Sequence, residues 1–365
     1  MSGPFVYELA SAQAALTRDH QDHPTDPYAI PWYLVLGDPG SGRSTAIRSM
    51  ALTWPQGGDG TLRINLPQQL CTYWLATEAF LIEPEANVLG PRRDPERLKD
   101  LGRELARCRP REPIDGLILV ANVADFIDLD ERNLEAYGQR LRSYLVEASN
   151  GLDGDIPVYL VLTRYDTLWG FAEVFQWSAD RSKEEPWGYQ LPVETPIEKG
   201  LDELTRGLDA LLARIEAYCL AKLASEDPAE QRTRAFQHLA EVHALMDKLR
   251  ALFKVLAYIN PYERTPWFRA VGIGSAVPGM GDRIRAGVQR FVNMGLSQGQ
   301  NMGGATRPGG LPLFHFMRTA VLPERNLVPL RTRWRDDKLI VYGGIAGVAL
   351  LLLGIVAAVV FGIIL

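Results

Sequence analysis

The stretch that decides the fold runs from residue 32 to residue 44 and reads Trp32-Tyr33-Leu34-Val35-Leu36-Gly37-Asp38-Pro39-Gly40-Ser41-Gly42-Arg43-Ser44. Its first five residues form a continuous apolar run, which is typical of a strand buried on both faces of a parallel sheet. The next eight follow the spacing of a Walker A phosphate loop, and Thr45-Ala46-Ile47-Arg48 then begins a helix. Strand, loop and helix in this order predict the phosphate-binding edge of an α/β domain.

The loop has the residue types that phosphate binding requires, with one departure. Gly37, Gly40 and Gly42 let backbone N–H groups approach phosphate oxygens closely, and the Ser44 hydroxyl suits Mg²⁺. Arg43 stands where lysine is expected, and its planar guanidinium does not replace a compact ammonium freely. The loop is therefore either a phosphate site or a glycine turn retained from a nucleotide-binding ancestor. We expect Arg43→Lys to raise the affinity for nucleotide.

Two further motifs of nucleotide-binding proteins have counterparts in the sequence. An apolar run ends in Glu83-Pro84-Glu85-Ala86, where a Mg²⁺-holding carboxylate is present but alanine replaces the glycine that contacts a γ-phosphate. Another run enters Thr163-Arg164-Tyr165-Asp166, in which Asp166 could accept hydrogen bonds from guanine. These departures predict slow or absent hydrolysis. The predicted nucleotide-binding residues are Gly37, Asp38, Pro39, Gly40, Ser41, Gly42, Arg43, Ser44, Thr45, Glu83 and Asp166, with Ser44 and Glu83 as the Mg²⁺ ligands and no catalytic residue.

The rest of the chain alternates apolar runs with amphipathic stretches. Strands are predicted at 32–36, 79–82, 117–121, 158–162 and 268–273, and helices at 94–107 and 133–148. Such alternation predicts βαβ units and a parallel sheet covered on both faces. Between 197 and 259 apolar residues recur at helical spacing, with a break at 225–228, which predicts a helical hairpin. Residues 295–312, rich in glycine, predict a flexible loop.

The composition excludes several classes of protein. The net charge of -5 argues against a nucleic-acid-binding protein, because those usually carry a basic excess. Three cysteines far apart in the sequence form neither a disulfide framework nor a metal-ligand spacing, which indicates a reducing compartment.

The last 27 residues, 339–365, carry no charged side chain. As a helix they would extend roughly 40 Å, longer than the ~30 Å hydrocarbon core of a bilayer. A buried core helix rarely runs so long without a polar face, so a membrane span is favoured. The preceding residues 331–338 contain four basic side chains and two acidic ones. Because basic flanks stay on the cytoplasmic side, we expect the bulk of the chain to be cytoplasmic.

Several blocks in order resemble one known family. They are 31–44, Cys71-Thr72-Tyr73-Trp74-Leu75 through Glu83, 115–125, 157–166, Gly170-Phe171-Ala172-Glu173-Val174-Phe175 with Trp187-Gly188, 264–283 and 313–327. The chain is similar to the cytoplasmic GTPase-like region of the IcmF-like (TssM) family of bacterial type VI secretion. Full members usually have a membrane hairpin before this region and a large periplasmic part after it. Either this chain is a fragment, or its system uses a shortened or split version.

The resemblance and the residue patterns together define the expected architecture. The fold class is α/β: a P-loop NTPase-like, mostly parallel sheet with an inserted helical subdomain and a C-terminal transmembrane helix. The expected divisions are a lead-in over 1–30, a GTPase-like P-loop domain over 31–196, a helical subdomain over 197–260, a return to the sheet plus a flexible loop over 261–330, a basic juxtamembrane segment over 331–338 and the membrane span over 339–365.

The resemblance implies an inner-membrane scaffold of a type VI secretion complex. Its degenerate GTPase-like domain would dock baseplate proteins or other membrane-complex proteins, and the chain would contact the lipid bilayer, form a homo-oligomer and bind no nucleic acid. The cofactor is either GTP or ATP with Mg²⁺, or there is none. One alternative is an active NTPase switch that regulates assembly. A tail-anchored small GTPase is a third hypothesis, disfavoured by the altered switch and base-reading residues.

Overall fold

The computed structural model describes residues 5–19, 28–54, 60–62, 69–91, 93–177, 186–275 and 311–328 of the 365-residue chain. Within these ranges eight strands form one sheet: β1 (Trp32–Leu36), β2 (Thr61–Leu62), β3 (Cys71–Leu75), β4 (Phe80–Pro84), β5 (Gly116–Asn122), β6 (Pro157–Thr163), β7 (Gly188–Gln190) and β8 (Trp267–Ile273). Their order is β2-β3-β4-β1-β5-β6-β8-β7. The pairings among β4, β1, β5, β6 and β8 are parallel, whereas β2–β3, β3–β4 and β7–β8 are antiparallel. The predicted α/β fold with a mostly parallel sheet is confirmed.

The helices of the described residues connect or flank these strands. They are α1 (Val6–Asp19), α2 (Arg43–Ser49), α3 (Pro95–Cys108), α4 (Val123–Phe126), α5 (Glu131–Leu152), α6 (Phe171–Trp177), α7 (Gly200–Leu223), α8 (Ala229–Leu256) and α9 (Phe314–Phe316). A π-helical turn over Met317–Val321 and a 3-10 turn over Leu322–Glu324 continue α9. Asp94 and Asp130 cap α3 and α5, because each side chain accepts a hydrogen bond from a backbone N–H of the first turn.

The sheet is buried on both faces, as its continuous apolar strands predict. On one face Trp32, Leu34 and Leu36 of β1 share a large core with residues of α1, α3, α5, α7 and α8. On the other face Tyr33 and Val35 pack with residues of α2 and of the segment 311–328. Alternate residues of β1 therefore supply both cores, so the strand that leads into the glycine loop is held from two sides.

The predicted helical region 197–259 contains α7 and α8, and the break between them lies at the predicted position. The chain then returns to the sheet, since β8 pairs in parallel with β6. The strands β2, β3 and β7 were not predicted. β2 and β7 are only two and three residues long and lie at the two edges of the sheet, and all three take part in antiparallel pairings, outside the βαβ pattern. The division of 1–30, 31–196, 197–260 and 261–330 into separate units stays a prediction.

No helix formed by the described residues is long and apolar enough to cross a membrane. The predicted span 339–365 and the basic segment 331–338 lie outside those residues, as does most of the predicted loop 295–312.

A buried ion pair fixes the segment 311–328 to the sheet. Arg269 of β8 is fully buried, and it donates to Glu324 from Nη2 at 2.6 Å and from Nε at 3.1 Å. The same guanidinium donates to the carbonyl oxygens of Leu191 and Pro192, both at 2.9 Å. Tyr159 of β6 adds a hydroxyl bond of 3.1 Å to the Glu324 carboxylate. Because both charges have several partners, the pair locks 311–328 against β6, β7 and β8.

Arg269→Met is expected to lower the free energy of unfolding by about 3–5 kcal/mol, because it leaves the buried Glu324 carboxylate without its cation. Arg250→Met is the matched control: Arg250 pairs with Asp209 and Asp247 on the surface, and its loss should cost about 0–1 kcal/mol. Denaturant titration of the full chain in detergent measures both. Adding Glu324→Leu to Arg269→Met should restore much of the stability. If the two single variants lost the same free energy of unfolding, the Arg269–Glu324 pair would not be what fixes the segment 311–328 to the sheet.

Candidate functional site

The glycine loop, defined as residues 37–42, lies at the edge of the sheet where the parallel strands end. β1 ends at Leu36, and α2 begins at Arg43 with Gly42 as its N-cap. Thr163, the last residue of β6, donates its hydroxyl to the backbone oxygen of Ser41 at 2.6 Å. The loop is thus tied to β6 as well as to β1, and it lies where ligands commonly bind in open α/β sheets.

The loop backbone depends on its glycines. Gly37, Gly40 and Gly42 have φ of 147°, 86° and 89°, a region that other residues rarely adopt. A Cβ on Gly37 would lie 2.4 Å from the backbone oxygen of Val120, whereas a Cβ on Gly40 would meet nothing within 4 Å. Gly37 is therefore required both by its backbone angle and by its contact with β5.

The Arg43 side chain is directed to the end of β4. Its Nη1 donates to the carbonyl oxygen of Pro84 at 2.6 Å, and its Nε lies 3.7 Å from Glu83 Oε1. Only 8% of the residue is exposed. Burial lowers the pKa of the guanidinium, and the neighbouring Glu83 charge opposes that shift. The guanidinium that stands in the place of the phosphate-binding lysine is therefore bound to groups of the protein at the end of β4.

The predicted Mg²⁺ ligands, Ser44 and Glu83, are in contact. The Ser44 hydroxyl lies 2.9 and 3.1 Å from the two Glu83 oxygens, and the indole N–H of Trp74 donates to the same carboxylate at 3.1 Å. Hydroxyl and carboxylate oxygens are of the type that Mg²⁺ prefers. The adjacent Arg43 cation, however, would repel Mg²⁺ and already uses the Glu83 charge. As arranged, with Arg43 beside Glu83, these oxygens do not suit Mg²⁺.

The Asp38 carboxylate belongs to a network with α5. Arg140 donates to it from Nε at 3.0 Å and from Nη2 at 2.6 Å, and the Tyr144 hydroxyl donates at 2.8 Å. The hydrogen bond to Asp38 is the main cause that raises the pKa of Arg140. These contacts hold the loop to α5, so the Asp38 side chain is structural.

The remaining predicted residues lie around the same edge. Pro39 is exposed and lies near Gly90 in the turn after β4, and Thr45 is half-buried in the first turn of α2. Asp166 is exposed on the 3-10 turn Tyr165–Thr167, three residues beyond Thr163. The structure thus brings Ser44, Arg43 and Glu83 into one cluster. It leaves Asp166 outside that cluster, at the end of the neighbouring strand.

The comparison with protein families decides the assignment, independently of the glycine loop. The model of the IcmF-related N-terminal domain matches residues 91–349, well over half of the chain. The chain belongs to the IcmF-related family. Because the match begins after residue 44, membership does not depend on the Walker-like spacing. The resemblance to IcmF-like proteins seen in the sequence is confirmed.

One curated relative of this IcmF-related chain is the type VI secretion system component TssM1 of Pseudomonas aeruginosa. The two are 25% identical over 345 residues, which cover 90% of this chain and 31% of the relative. The chain therefore spans about a third of the length of that protein.

Solved structures share only a distant likeness with this chain. The cytosolic domain of the T. maritima FeoB iron transporter in a GDP form is 12% identical, with a TM-score of 0.23, and the match covers 60% of this chain and 97% of that one. Toc33 from Arabidopsis thaliana is 15% identical, with a TM-score of 0.22, and the match covers 70% and 96%. At TM-scores this low, neither a shared fold nor a shared function follows from the likeness.

Sequence reasoning missed the residues that hold the loop in place. Arg140 and Tyr144 lie within an ordinary amphipathic helix, and their spacing carries no sign that they reach residue 38. Trp74 belongs to β3, which was not predicted, so its bond to Glu83 was not foreseen. Thr163 precedes the predicted base-reading residue Asp166 by three positions, and nothing in the sequence indicates that its hydroxyl donates to the Ser41 carbonyl oxygen.

Gly37→Ala is expected to destabilise the protein clearly more than Gly40→Ala. Both variants force alanine into a positive-φ backbone, at about 1–2 kcal/mol each. Only at residue 37 would the new methyl also collide with the Val120 oxygen. Thermal unfolding of the full chain in detergent, compared for the two variants, measures the difference. Equal destabilisation would contradict the described loop.

Proposed function

We propose that this protein is a component of a type VI secretion membrane complex and that it acts as a scaffold instead of an NTPase. Membership of the IcmF-related family and the similarity to TssM1 support the assignment to this machine. The chain corresponds to about a third of TssM1, so the role assigned here is that of this region.

The observation that supports the scaffold role is that the polar side chains of the loop and of the start of α2 bind other groups of the protein. The Arg43 guanidinium is bound to the Pro84 carbonyl and lies beside Glu83, while Ser44 is bonded to Glu83. A phosphate would have to recruit Arg43 away from a buried hydrogen bond, and Mg²⁺ would have to displace it from its carboxylate. The loop thus joins β1, α2 and β4, and this role needs no nucleotide.

The same proposal places the protein in the bacterial inner membrane. The uncharged segment 339–365 would be a single C-terminal span, and 331–338 its basic cytoplasmic flank. The α/β body would then lie in the cytoplasm, where baseplate proteins and other membrane-complex proteins could dock on it. Self-association within that complex belongs to the proposal. In this proposal the strand, glycine loop and helix at the centre of the body are a glycine turn retained from a nucleotide-binding ancestor.

A nucleotide-switched NTPase is the second candidate, and one observation favours it. The backbone of the loop keeps three positive-φ glycines, and the hydroxyl of Ser44 lies next to a carboxylate, as in working phosphate sites. In that case GTP or ATP with Mg²⁺ would release Arg43 from Pro84 and order the segment after Glu83.

Nucleotide binding and hydrolysis by the full chain in lipid nanodiscs distinguish the two candidates. We expect no turnover of GTP or ATP with Mg²⁺, and weak binding that Arg43→Lys strengthens, because lysine supplies a compact charge without the bond to Pro84. Arg48→Lys is the matched control, since Arg48 lies exposed on the same helix over the Trp74 ring.

One outcome would overturn the scaffold role: turnover of nucleotide by the natural chain that Ser44→Ala abolishes. An unchanged dissociation constant in Arg43→Lys would contradict the role given to Arg43.

A further inference from the structure

The chain leaves the described body at a defined edge of the sheet, the strand-start edge, formed by the first residues of β1, β5, β6 and β8. Segment 311–328 is clamped by the Glu324–Arg269 pair, and its last residue, Val328, is only 7% exposed. The Tyr33 hydroxyl, on the second residue of β1, donates to the backbone oxygen of Val321 at 3.3 Å, so the segment contacts the start of β1. Asp115, directly before β5, accepts a hydrogen bond of 2.7 Å from the backbone N–H of Trp32, the first residue of β1, so β1 and β5 start side by side.

The distance from this exit to the uncharged segment is limited. Ten residues separate Val328 from Leu339, so even an extended chain spans at most about 40 Å. Seven-residue strands such as β5 are about 23 Å long, and the 28-residue α8 is about 42 Å long. The glycine loop lies at the opposite ends of these strands. This tether starts at the strand-start edge, so its shortest path to a membrane leaves from that side, whereas a membrane at the loop edge would require the tether to pass along about 23 Å of the body first.

Exposed apolar side chains occur at that edge. The loop 257–266 connects α8 to the start of β8 and carries Tyr258, Ile259 and Tyr262, which are 62%, 49% and 95% exposed. Val193, 55% exposed, follows the residues that Arg269 binds near the start of β8. Tyrosine and branched aliphatic side chains of this kind suit the interface between lipid and water.

Three exposed carboxylates of the same edge are paired with arginines. Arg264 binds Asp153 at 2.6 Å and Asp155 at 3.3 Å, directly before β6. Arg142 lies 3.3 Å from Glu263, in the loop itself. These pairs reduce the repulsion that an anionic membrane surface would exert on the edge.

We propose that the strand-start edge faces the bilayer and that the loop 257–266 contacts the membrane interface through Tyr258, Ile259 and Tyr262. The proposal rests on the proposed function, because it requires the anchor at 339–365. Its consequence is that the glycine loop and the ends of α7 and α8 near residues 224–228 point away from the membrane. Docking proteins would meet that side of the body.

Fluorescence quenching by lipids tests the contact. The full chain carrying Cys108→Ser, since Cys71 and Cys219 are buried, is given Tyr262→Cys and an environment-sensitive label. It is reconstituted in vesicles of phosphatidylethanolamine and phosphatidylglycerol that contain lipids with a spin-labelled headgroup or upper acyl chain. Trp169→Cys is the matched control, because Trp169 is a similarly exposed aromatic residue beyond the end of β6. We expect the spin-labelled lipids to cause a loss of emission at residue 262 and none at residue 169.

The outcomes separate this inference from the proposed function. A chain that stays in the membrane after an alkaline wash but shows no quenching at residue 262, or equal quenching at both residues, contradicts the edge contact and leaves the anchor intact. A label at residue 262 that is shielded from both lipid and water would instead indicate that a protein, such as a second copy of this chain, covers the loop 257–266. That result would also contradict the membrane contact. A chain that an alkaline wash removes from the vesicles contradicts both proposals.

Discussion

The Glu83 carboxylate is the point where the elements around the glycine loop meet. It accepts hydrogen bonds from Ser44 of α2 and Trp74 of β3, and the Arg43 guanidinium lies beside it. In a phosphate site of the Walker type these groups would be turned toward nucleotide and metal. Here a buried carboxylate obtains its donors and its counter-charge from two neighbouring elements, α2 and β3, and the cost of burying its charge is offset without any ligand.

A second buried charge pair acts at the far end of the same strands. Arg269 and Glu324 join the segment 311–328 to β6, β7 and β8, so the part of the chain that leads to the predicted membrane span cannot separate easily from the sheet. The two networks lie at opposite ends of the strands. One network holds the loop edge, and the other holds the edge from which the chain continues toward the predicted membrane span. The proposed scaffold role depends on both networks, because they fasten the two opposite edges of the sheet.

Much of the fold could be predicted because the central strands are buried on both faces. The runs at 32–36, 117–121 and 158–162 are continuous and apolar, and the structure places all three in the parallel core. The strand β3 was missed because Thr72 interrupts its apolar run and because it pairs antiparallel with both of its neighbours, outside the βαβ pattern. The predicted boundaries of the separate domains and of the span at 339–365 stay predictions.

The candidate site was only partly predictable for a physical reason. Spacing indicates where a backbone turns, and the loop, its glycines and the contact between Ser44 and Glu83 follow from it. Spacing does not indicate where a long flexible side chain will find its partner. Arg43 reaches Pro84, 41 residues away, and Arg140 reaches Asp38, 102 residues away, through packing that forms only in the folded sheet.

A structure of the full chain determined with Mg²⁺ and a non-hydrolysable GTP analogue in excess tests most directly whether Arg43 stays bound to Pro84 and beside Glu83. We expect this arrangement to persist, with Arg43 Nη1 within hydrogen-bond distance of the Pro84 oxygen and Ser44 bonded to Glu83. A guanidinium turned onto the phosphates, with a metal ion between Ser44 and Glu83, would contradict it.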